Sequence, residues 1–208
     1  TGELRTASAT ASELAKLMVG RDVILEVEKP APAPGAGPGA SAPGPVLALE
    51  ALVARGSRGM QALKGASLSV GAGEILGVAG VEGNGQKELC EAIAGLLSLD
   101  SGRILFQGQD VATWSPRRRM EAGMGYVPQD RRGSGLVLPF TVEENLALGR
   151  SDRRPWSRAG LLDFQAMRRA ALDLMGVYDI RAAGPESPVS TLSGGNQQKC
   201  VVGRWLEI

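Results

Sequence analysis

The sequence predicts an α/β fold organised around a glycine-rich loop, and three observations lead to this prediction. An apolar run, Ile75 to Ala79, predicts a strand that passes through closely spaced glycines into a helical pattern reaching Leu97. Two stretches of alternating apolar residues, 46–53 and 66–70, precede the loop and predict two antiparallel strands. A second helix start, preceded by a serine and two glycines at 193–195, lies near the other end of the sequence.

Composition narrows the function classes before any motif is considered. The 208 residues suffice for one α/β domain with an appendage, and the net charge of +1 favours neither a nucleic acid nor an acidic partner. The sequence contains no histidine, which excludes histidine general-base catalysis and histidine-ligated metals within it. Cys90 and Cys200 lie far apart in helical patterns and predict reduced, buried thiols of a cytosolic protein. No apolar run is long enough to span a bilayer and no signal-peptide pattern is seen, so we expect any link to a membrane to pass through a partner.

The N-terminal part of the sequence divides into two segments. Thr10 and Glu13 form a capping-box pattern that predicts a small helix, followed by a strand-like Val23–Leu25. We interpret residues 1–29 as the tail of a larger upstream unit, because so small a segment cannot bury a core of its own. Residues 30–45 consist largely of proline, alanine and glycine and predict a linker, which places a domain boundary near residue 45.

Further elements follow the loop. A strand is expected after Ser101 and Gly102, and Ser115 followed by proline predicts a helix N-terminus. A short buried strand is expected just before Gln129, and Thr141 with Glu144 predicts a second capping box. An apolar stripe at helical spacing predicts a helix with a buried face; its residues are Phe164, Met167, Ala171, Leu174 and Met175.

The glycine-rich loop fits the frame of a phosphate-binding loop but not its chemistry. Gly80 and Gly85 occupy the glycine positions of the G-x-x-x-x-G-K-[ST] pattern, whereas Gln86 replaces the lysine and Lys87 the serine or threonine. We therefore expect weaker phosphate binding than in an intact loop, unless Lys87 turns back toward the phosphates. A dinucleotide-binding pattern would need glycine where Glu88 stands, and an ordinary glycine-rich turn remains the simpler alternative.

The second helix start offers similar chemistry. In L-S-G-G-N-Q-Q-K, residues 192–199, a serine and two glycines at a helix N-terminus present free amides, a hydroxyl and the positive end of the helix dipole to an anion. Simple helix capping is the alternative interpretation of this motif taken alone.

Taken together, three motifs resemble those of the nucleotide-binding subunit of ABC transporters, and they occur in the same order. They are G-V-E-G-N-G-Q-K-E-L at 80–89, Y-V-P-Q-D-R at 126–131 and L-S-G-G-N-Q-Q-K at 192–199. The first and third are similar to the second cassette of double-cassette ATPases that import ribose-type sugars and nucleosides, and residues 13–23 are similar to the end of the first cassette. The resemblance implies a P-loop NTPase fold with an antiparallel β subdomain and a helical subdomain. It also implies that 1–29 is the tail of a first cassette, 30–45 a linker and 46–208 an incomplete second cassette.

The resemblance also implies a set of site residues, with ATP and Mg²⁺ as cofactors. Nucleotide contacts would come from a Walker A loop with its first helical turn: Gly80, Gly83, Asn84, Gly85, Gln86, Lys87 and Glu88. Gln129 would be the Q-loop residue that senses Mg²⁺ and the γ-phosphate. The signature, comprising Ser193, Gly194, Gly195 and Gln197, would contact the γ-phosphate of ATP held on an opposite cassette.

The implied partners follow from the same resemblance. They are another cassette, either the first cassette of the same full-length chain or a second copy, integral membrane permease subunits and, indirectly, a solute-binding protein. The implied location is the cytoplasmic side of the plasma membrane, held there through the permease, and no nucleic acid is expected. The transported solute cannot be inferred from these residues.

The sequence also departs from the family pattern. No aromatic residue stands in Gly56–Met60, where an adenine-stacking side chain is expected. The Walker B aspartate, the catalytic glutamate and the switch histidine are expected beyond Ile208, so we assign no catalytic residue and expect no steady ATP turnover by this polypeptide alone. Without the Walker B strand, Ile75–Ala79 should have an unpaired edge and the polypeptide should be marginally stable and prone to aggregate.

Two other functions stay open at this point. Arginine clusters, such as Arg117–Arg119, raise the possibility of a nucleic-acid-associated ABC ATPase, although the near-zero net charge favours a solvated surface. The altered loop raises the alternative of a structural pseudo-cassette that no longer binds nucleotide.

Overall fold

The structure of the protein is a computed structural model that describes residues 44–206, except residues 58 and 159. The predicted N-terminal helix with Thr10 and Glu13, the segment 1–29 and the linker up to residue 43 lie outside the described residues. Among the described residues, no helix has the length and hydropathy needed to cross a membrane.

Four strands form an antiparallel sheet in the order β2-β1-β3-β4. The strands are β1 (Leu47–Arg55), β2 (Gln61–Val70), β3 (Ser101–Phe106) and β4 (Gln109–Asp110). The two strands predicted ahead of the loop are therefore confirmed, with Leu47 opposite Val70 in the register of β1 and β2. The register of β1 and β3 shifts between Glu50 and Val53, and Gly102 fits there because a Cβ atom on it would lie 2.7 Å from the Ala51 carbonyl oxygen.

Within the described residues, five α-helices follow the order expected from the sequence. They are α1 (Gln86–Ala94), α2 (Pro116–Glu121), α3 (Val142–Ala147), α4 (Phe164–Val177) and α5 (Gly194–Leu206). Shorter elements connect them: a π-helical turn (Arg131–Gly135), a small hairpin of β5 (Ser157–Arg158) and β6 (Leu161–Leu162), and a 3₁₀ turn (Val189–Thr191).

The predicted helix caps are confirmed. The Ser115 hydroxyl accepts a hydrogen bond from the amide of Arg118, with Pro116 at the first helical position. At the start of α3, the Thr141 hydroxyl accepts from the amide of Glu144, and the Glu144 carboxylate accepts from the amide of Thr141, which completes the capping box. Hydrogen bonds between residues close in sequence define these helix starts, so they could be predicted without knowledge of the tertiary structure.

In the part of the chain that the structure describes, two separate apolar clusters form the core. The first packs the antiparallel sheet against α1 and consists of Leu49, Leu52, Ala54, Leu63, Leu89, Ala92, Ile104 and Val111. The second packs α3, α4 and α5 together and consists of Leu136, Val142, Leu146, Ala147, Trp156, Met167, Ala171, Leu174, Ile180, Val189, Cys200 and Val201. This division matches the β subdomain and helical subdomain that were expected.

Two predicted strands are wrong for the described residues. Ile75–Ala79 and the segment before Gln129 run through the structure without strand assignment. A strand requires ladder hydrogen bonds, and neither segment pairs with another strand among the described residues. Ile75 is consequently 97% exposed and Val127 is 42% exposed. The unpaired edge predicted for Ile75–Ala79 presupposed a strand that is not formed, and the predicted tendency to aggregate stays a prediction.

Two burial predictions and one helix boundary need correction. Cys200 is buried as expected, but Cys90 is exposed, because it follows Leu89 on α1 and points away from the face that packs on the sheet. Phe164 is 67% exposed at the first position of α4, where the turn that would cover it is missing. The helix expected to reach Leu97 ends at Ala94, with Gly95 in the left-handed region, and Leu96 beyond it is exposed.

Candidate functional site

The glycine-rich loop leads into α1 through two glycines with left-handed backbone. Gly83 has a φ of 88°, and Gly85, the N-cap of α1, has a φ of 98°. A Cβ atom on Gly85 would lie only 2.7 Å from the carbonyl oxygen of Ala62 in β2. Gly85 is therefore required twice, by its backbone conformation and by the close approach of the loop to the sheet.

The N-terminus of α1 is open. No side chain caps it, and the first amides of a helix have no partner within the helix itself. The turn before it is closed by a hydrogen bond from the Asn84 amide to the Val81 carbonyl at 3.2 Å, while Gly80, Gly83 and Asn84 are exposed. The loop can therefore direct free amides and the positive end of the helix dipole at an anion.

The side chains that replace the usual lysine and hydroxyl have definite positions. Gln86 folds back over the loop, since a Cβ atom on Gly80 would overlap its Nε2 atom. Lys87 lies on the exposed side of α1, with Nζ 3.7 Å from a carboxylate oxygen of Glu91. In this arrangement a neutral amide, and not the Lys87 ammonium, lies within the loop.

Two clefts flank the loop. One, of about 540 Å³, lies between the loop and β2 and is lined by residues from Gln61–Ala66 and from 78–89. The other, of about 450 Å³, is lined by Gly80, Glu82, Lys87, Glu88 and Gln129, among others. The structure therefore brings Gln129 to the cleft of the glycine-rich loop, although it lies more than forty residues further along the sequence. None of the residues that line the two clefts is aromatic, in keeping with the missing aromatic residue in Gly56–Met60.

The second glycine-bearing helix start lies at the start of α5, where Ser193, Gly194 and Gly195 are all exposed. We call these three residues the signature corner, and the glycine-rich loop at the start of α1 the first corner. The Ser193 hydroxyl accepts hydrogen bonds from the Asn196 amide at 3.4 Å and from Asn196 Nδ2 at 3.1 Å. The Ser193 carbonyl accepts from the amide of Gln197 at 2.9 Å. The corner thus caps its own helix and still faces outward.

Polar side chains of α5 anchor this corner to its own subdomain. Gln197 is buried, and its Nε2 donates to the Val189 carbonyl at 3.1 Å. Asn196 Oδ1 accepts from the Arg181 amide at 3.0 Å. The structure therefore places the Gln197 side chain inside the domain. A nucleotide contact by this side chain would require its hydrogen bond to the Val189 carbonyl to break.

An ion pair adds to the anchoring. Lys199 Nζ donates to the Asp179 carbonyl at 2.6 Å and to its Oδ2 at 2.7 Å. The hydrogen bond from Lys199, followed by one from Arg181, holds the pKa of the Asp179 carboxyl below its usual range. The ion pair is partly exposed, so salt screens part of its attraction.

The burial of Arg119 and of Arg204 was not predicted from the sequence. Arg119 donates to the carbonyls of Ala92 and Ile93 at 2.7 Å each, and thereby caps the C-terminal end of α1. Arg204 donates from α5 to the Gly135 carbonyl at 2.6 Å. Burial lowers the pKa of both guanidinium groups. The one signal in the sequence was the position of Arg204, three residues after Val201 and four after Cys200, on the apolar face of the helix.

The two corners do not share a cleft in one copy of the chain. Neither cleft beside the loop is lined by a residue of 192–197. The two clefts are lined by predicted site residues from Gly80–Gln86 and by Lys87, Glu88 and Gln129. Ser193–Gly195 face solvent elsewhere. Among the described residues, no group of acidic and cysteine side chains is arranged to hold a metal ion.

Comparison with known proteins places these motifs in a family. The ABC transporter family matches residues 63–206. The chain is 43% identical over 196 residues to the guanosine import ATP-binding protein of Bacillus subtilis (strain 168), which covers 94% of the chain and 37% of that protein. It is 44% identical over 198 residues to the nucleoside import ATP-binding protein of Lactococcus lactis subsp. cremoris (strain MG1363), covering 95% and 38%. It is also 40% identical over 205 residues to a ribose import ATP-binding protein of Mesorhizobium japonicum, covering 97% and 37%. The chain therefore spans less than two-fifths of the length of these relatives.

Solved structures support the fold. An ATP-binding cassette solved as a dimer with ADP and Pi superimposes with a TM-score of 0.62 at 21% identity, covering 77% of this chain and 68% of that one. A nucleotide-free cassette superimposes with a TM-score of 0.60 at 23% identity, covering 78% and 64%. At this identity the likeness establishes the cassette fold alone.

Proposed function

This chain belongs to the ABC transporter family, and we propose that it forms part of the ATP-binding subunit of an importer for a simple sugar or nucleoside. In the full-length protein, ATP binding and hydrolysis would drive uptake. The proposal draws its solute class from the relatives named for import of guanosine, nucleosides and ribose. The segment 46–208 would be a second cassette, and residues 1–29 the end of a first one.

The observation on which the proposal depends is the exposed corner of Ser193, Gly194 and Gly195. This corner presents a helix N-terminus outward while buried and paired side chains of α5 hold it in place. An anion-binding corner that faces no cleft of its own copy suits a nucleotide carried by another cassette. We therefore assign the corner to the γ-phosphate of ATP bound on a partner cassette.

The glycine-rich loop would bind nucleotide in a different and weaker way. Its amides and the dipole of α1 remain available to phosphate, but Gln86 brings no charge and Lys87 pairs with Glu91. Gln129 lines the same cleft and is the residue that we assign to Mg²⁺. We expect this half to contribute an intact signature and a weakened loop to its pair of cassettes.

The remaining partners follow from the importer assignment. Permease subunits would hold the cassette at the cytoplasmic face of the plasma membrane, and a solute-binding protein would deliver the solute. No described helix of this chain could itself span a membrane, so the attachment would be peripheral.

A nucleic-acid-associated ATPase is a weaker candidate. Its sequence support was the set of arginine clusters, and several of those arginines are engaged within the protein. Arg117 pairs with Glu121 and Asp152, Arg168 pairs with Glu143, and Arg119 is buried. These contacts leave fewer cations free for phosphates of a nucleic acid.

Measuring nucleotide binding distinguishes a structural pseudo-cassette from a cassette that binds ATP. The test uses the full-length protein that contains this chain, with its melting temperature measured as ATP and Mg²⁺ are added. We expect the melting temperature to rise with ATP concentration. An unchanged melting temperature at millimolar ATP would contradict the proposed function.

A matched pair of variants tests the signature corner. Gly195 has open space around its Cβ position and no left-handed φ, so Gly195→Asp should fold while its carboxylate repels phosphate. We expect this variant to lose ATP-driven uptake or hydrolysis in the full transporter. Gly176→Asp, at an equally open glycine near the end of α4, is the control that should keep them. Equal activity of the two variants would refute the assignment of the corner.

A further inference from the structure

A guanidinium group lies directly against the signature corner. A Cβ atom on Gly194 would lie 2.8 Å from Nη2 of Arg131 and 3.5 Å from its Cζ. Arg131 belongs to the turn just after Gln129, far from α5 in sequence. The absence of a side chain on Gly194 is what allows this cation to reach the first turn of α5.

The turn that carries Arg131 is fixed at both ends. The Asp130 carboxylate accepts hydrogen bonds from the amides of Arg132 and Gly133 at 3.0 Å each, and these bonds lower the pKa of Asp130. At the other end, the Gly135 carbonyl accepts from Arg204 Nη2 at 2.6 Å, and Arg204 belongs to α5. The turn is thus fastened to the same helix whose N-terminus Arg131 approaches, so Arg131 is held in place before any ligand arrives.

Arg131 has incomplete polar partners in this position. Its Nε atom is buried and makes no hydrogen bond with the described residues. A neighbouring carboxylate, that of Asp130, interacts with the charge of Arg131, but its hydrogen bonds go to the amides of Arg132 and Gly133 and not to the guanidinium. The positive end of the α5 dipole adds to its charge instead of compensating it. A cation placed beside a helix N-terminus in this way favours an anion between the two.

The two corners of the protein therefore differ in charge. The glycine-rich loop has a neutral Gln86 where phosphate loops carry lysine. The signature corner has a serine hydroxyl, free backbone amides and, in addition, the guanidinium of Arg131. At the second corner a cation thus lies directly against the helix start, whereas at the first the nearest lysine, Lys87, is paired with Glu91.

We propose that Arg131 is a phosphate-binding residue of the signature corner, and that it adds selectivity for the γ-phosphate of a nucleoside triphosphate presented by a partner cassette. The inference rests on the proposed function, since it assigns a further residue to the same site. A guanidinium is planar and donates through several N–H groups, so it suits the three oxygens of a terminal phosphate.

The experiment compares Arg131→Gln with Arg132→Gln in the full-length protein. Arg132 is its exposed neighbour in the same turn, so the control removes the same charge beside the site. Affinities for ATP with Mg²⁺ and for ADP with Mg²⁺ are measured by isothermal titration. We expect Arg131→Gln to weaken ATP binding roughly tenfold or more and to leave ADP binding within about twofold, because ADP lacks the phosphate in question. Arg132→Gln should change neither affinity.

Arg131→Lys separates the effect of the positive charge from that of the planar guanidinium. A lysine keeps the positive charge but not the planar fork, so ATP affinity should lie between those of the wild type and Arg131→Gln. Melting temperatures of the nucleotide-free variants report any loss of structure. If the wild type binds ATP and both Arg131→Gln and Arg131→Lys bind it as tightly as the wild type does, the assignment of Arg131 is refuted while the proposed function stands. If the wild type binds no nucleotide at all, the proposed function itself fails.

Discussion

Two helix starts in this protein both carry glycines and differ in what supports them. At α1, glycines at 83 and 85 lead into a helix that no side chain caps, and the apolar residues before the loop, such as Ile75, are exposed. At α5, Ser193 caps the helix, and Gln197 ties it to a packed core. The comparison shows that the structure around a glycine-bearing helix start depends on its surroundings as much as on its own residues.

The difference also separates the roles of the two corners. The α1 corner depends on one close approach, that of Gly85 to the Ala62 carbonyl of β2, together with Arg119 at the far end of the helix. The α5 corner has several independent anchors in its own first turns. A corner that is held by its own subdomain can be offered intact to a partner, whereas the α1 corner needs the rest of its domain to define it.

The largest effect is expected at Gly85. Gly85→Ala introduces a Cβ atom 2.7 Å from the Ala62 carbonyl oxygen at a residue with a φ of 98°. We expect the free energy of local opening of α1 to fall by roughly 2–5 kcal/mol, the sum of left-handed strain and the backbone clash. Hydrogen exchange of α1 amides in the full-length protein measures this change, while α5 amides should keep their protection.

Gly83 provides the control for this prediction. Gly83→Ala also places a side chain at left-handed φ, 88°, but nothing lies within 4 Å of the new Cβ atom. The expected cost is only about 1–2 kcal/mol. If the two alanine variants destabilised α1 equally, the close approach to β2 would not be what holds the corner.

A smaller effect is expected at Gln197, which tests the support of the second corner. Gln197→Ala removes the buried hydrogen bond to the Val189 carbonyl and leaves a small cavity. We expect the free energy of opening of α5 to fall by about 1–3 kcal/mol, measured by hydrogen exchange of its amides. Gln198→Ala, at the half-buried neighbouring position, should change it by less than about 0.5 kcal/mol. Equal losses would show that the corner does not depend on this bond.

Much of the protein could be predicted from local sequence signals. Ser115, Thr141 and Glu144 marked helix starts through side-chain oxygens that bond nearby amides, and alternating residues marked β1 and β2. Such signals need no knowledge of the rest of the fold. The two helix starts after Gly85 and Ser193 were also located, because glycines and serine at helix starts are local features.

The predictions failed where the outcome depends on distant residues. Ile75–Ala79 has the composition of a strand, but a strand exists only where another segment supplies ladder hydrogen bonds. The position of Arg131 beside Gly194 arises from a turn that is tied to α5 through Arg204, and no spacing in the sequence encodes that contact. Buried Arg119 was likewise counted with the surface arginines, because only the fold reveals the carbonyls that it caps.

The smallest expected effect concerns pH and the Asp179–Lys199 pair at the second corner. The pKa of Asp179 is lowered in the folded protein, so its stabilisation is fully present above the unfolded pKa of about 4 and is lost as pH falls through the lower, folded value. We expect α5 amides to lose hydrogen-exchange protection more steeply below about pH 4 in the wild type than in Asp179→Asn. Asp173→Asn, at an exposed carboxylate of α4, should leave the wild-type steepness unchanged. If Asp179→Asn were as pH-sensitive as the wild type, this ion pair would not be one of the anchors that distinguish α5 from α1.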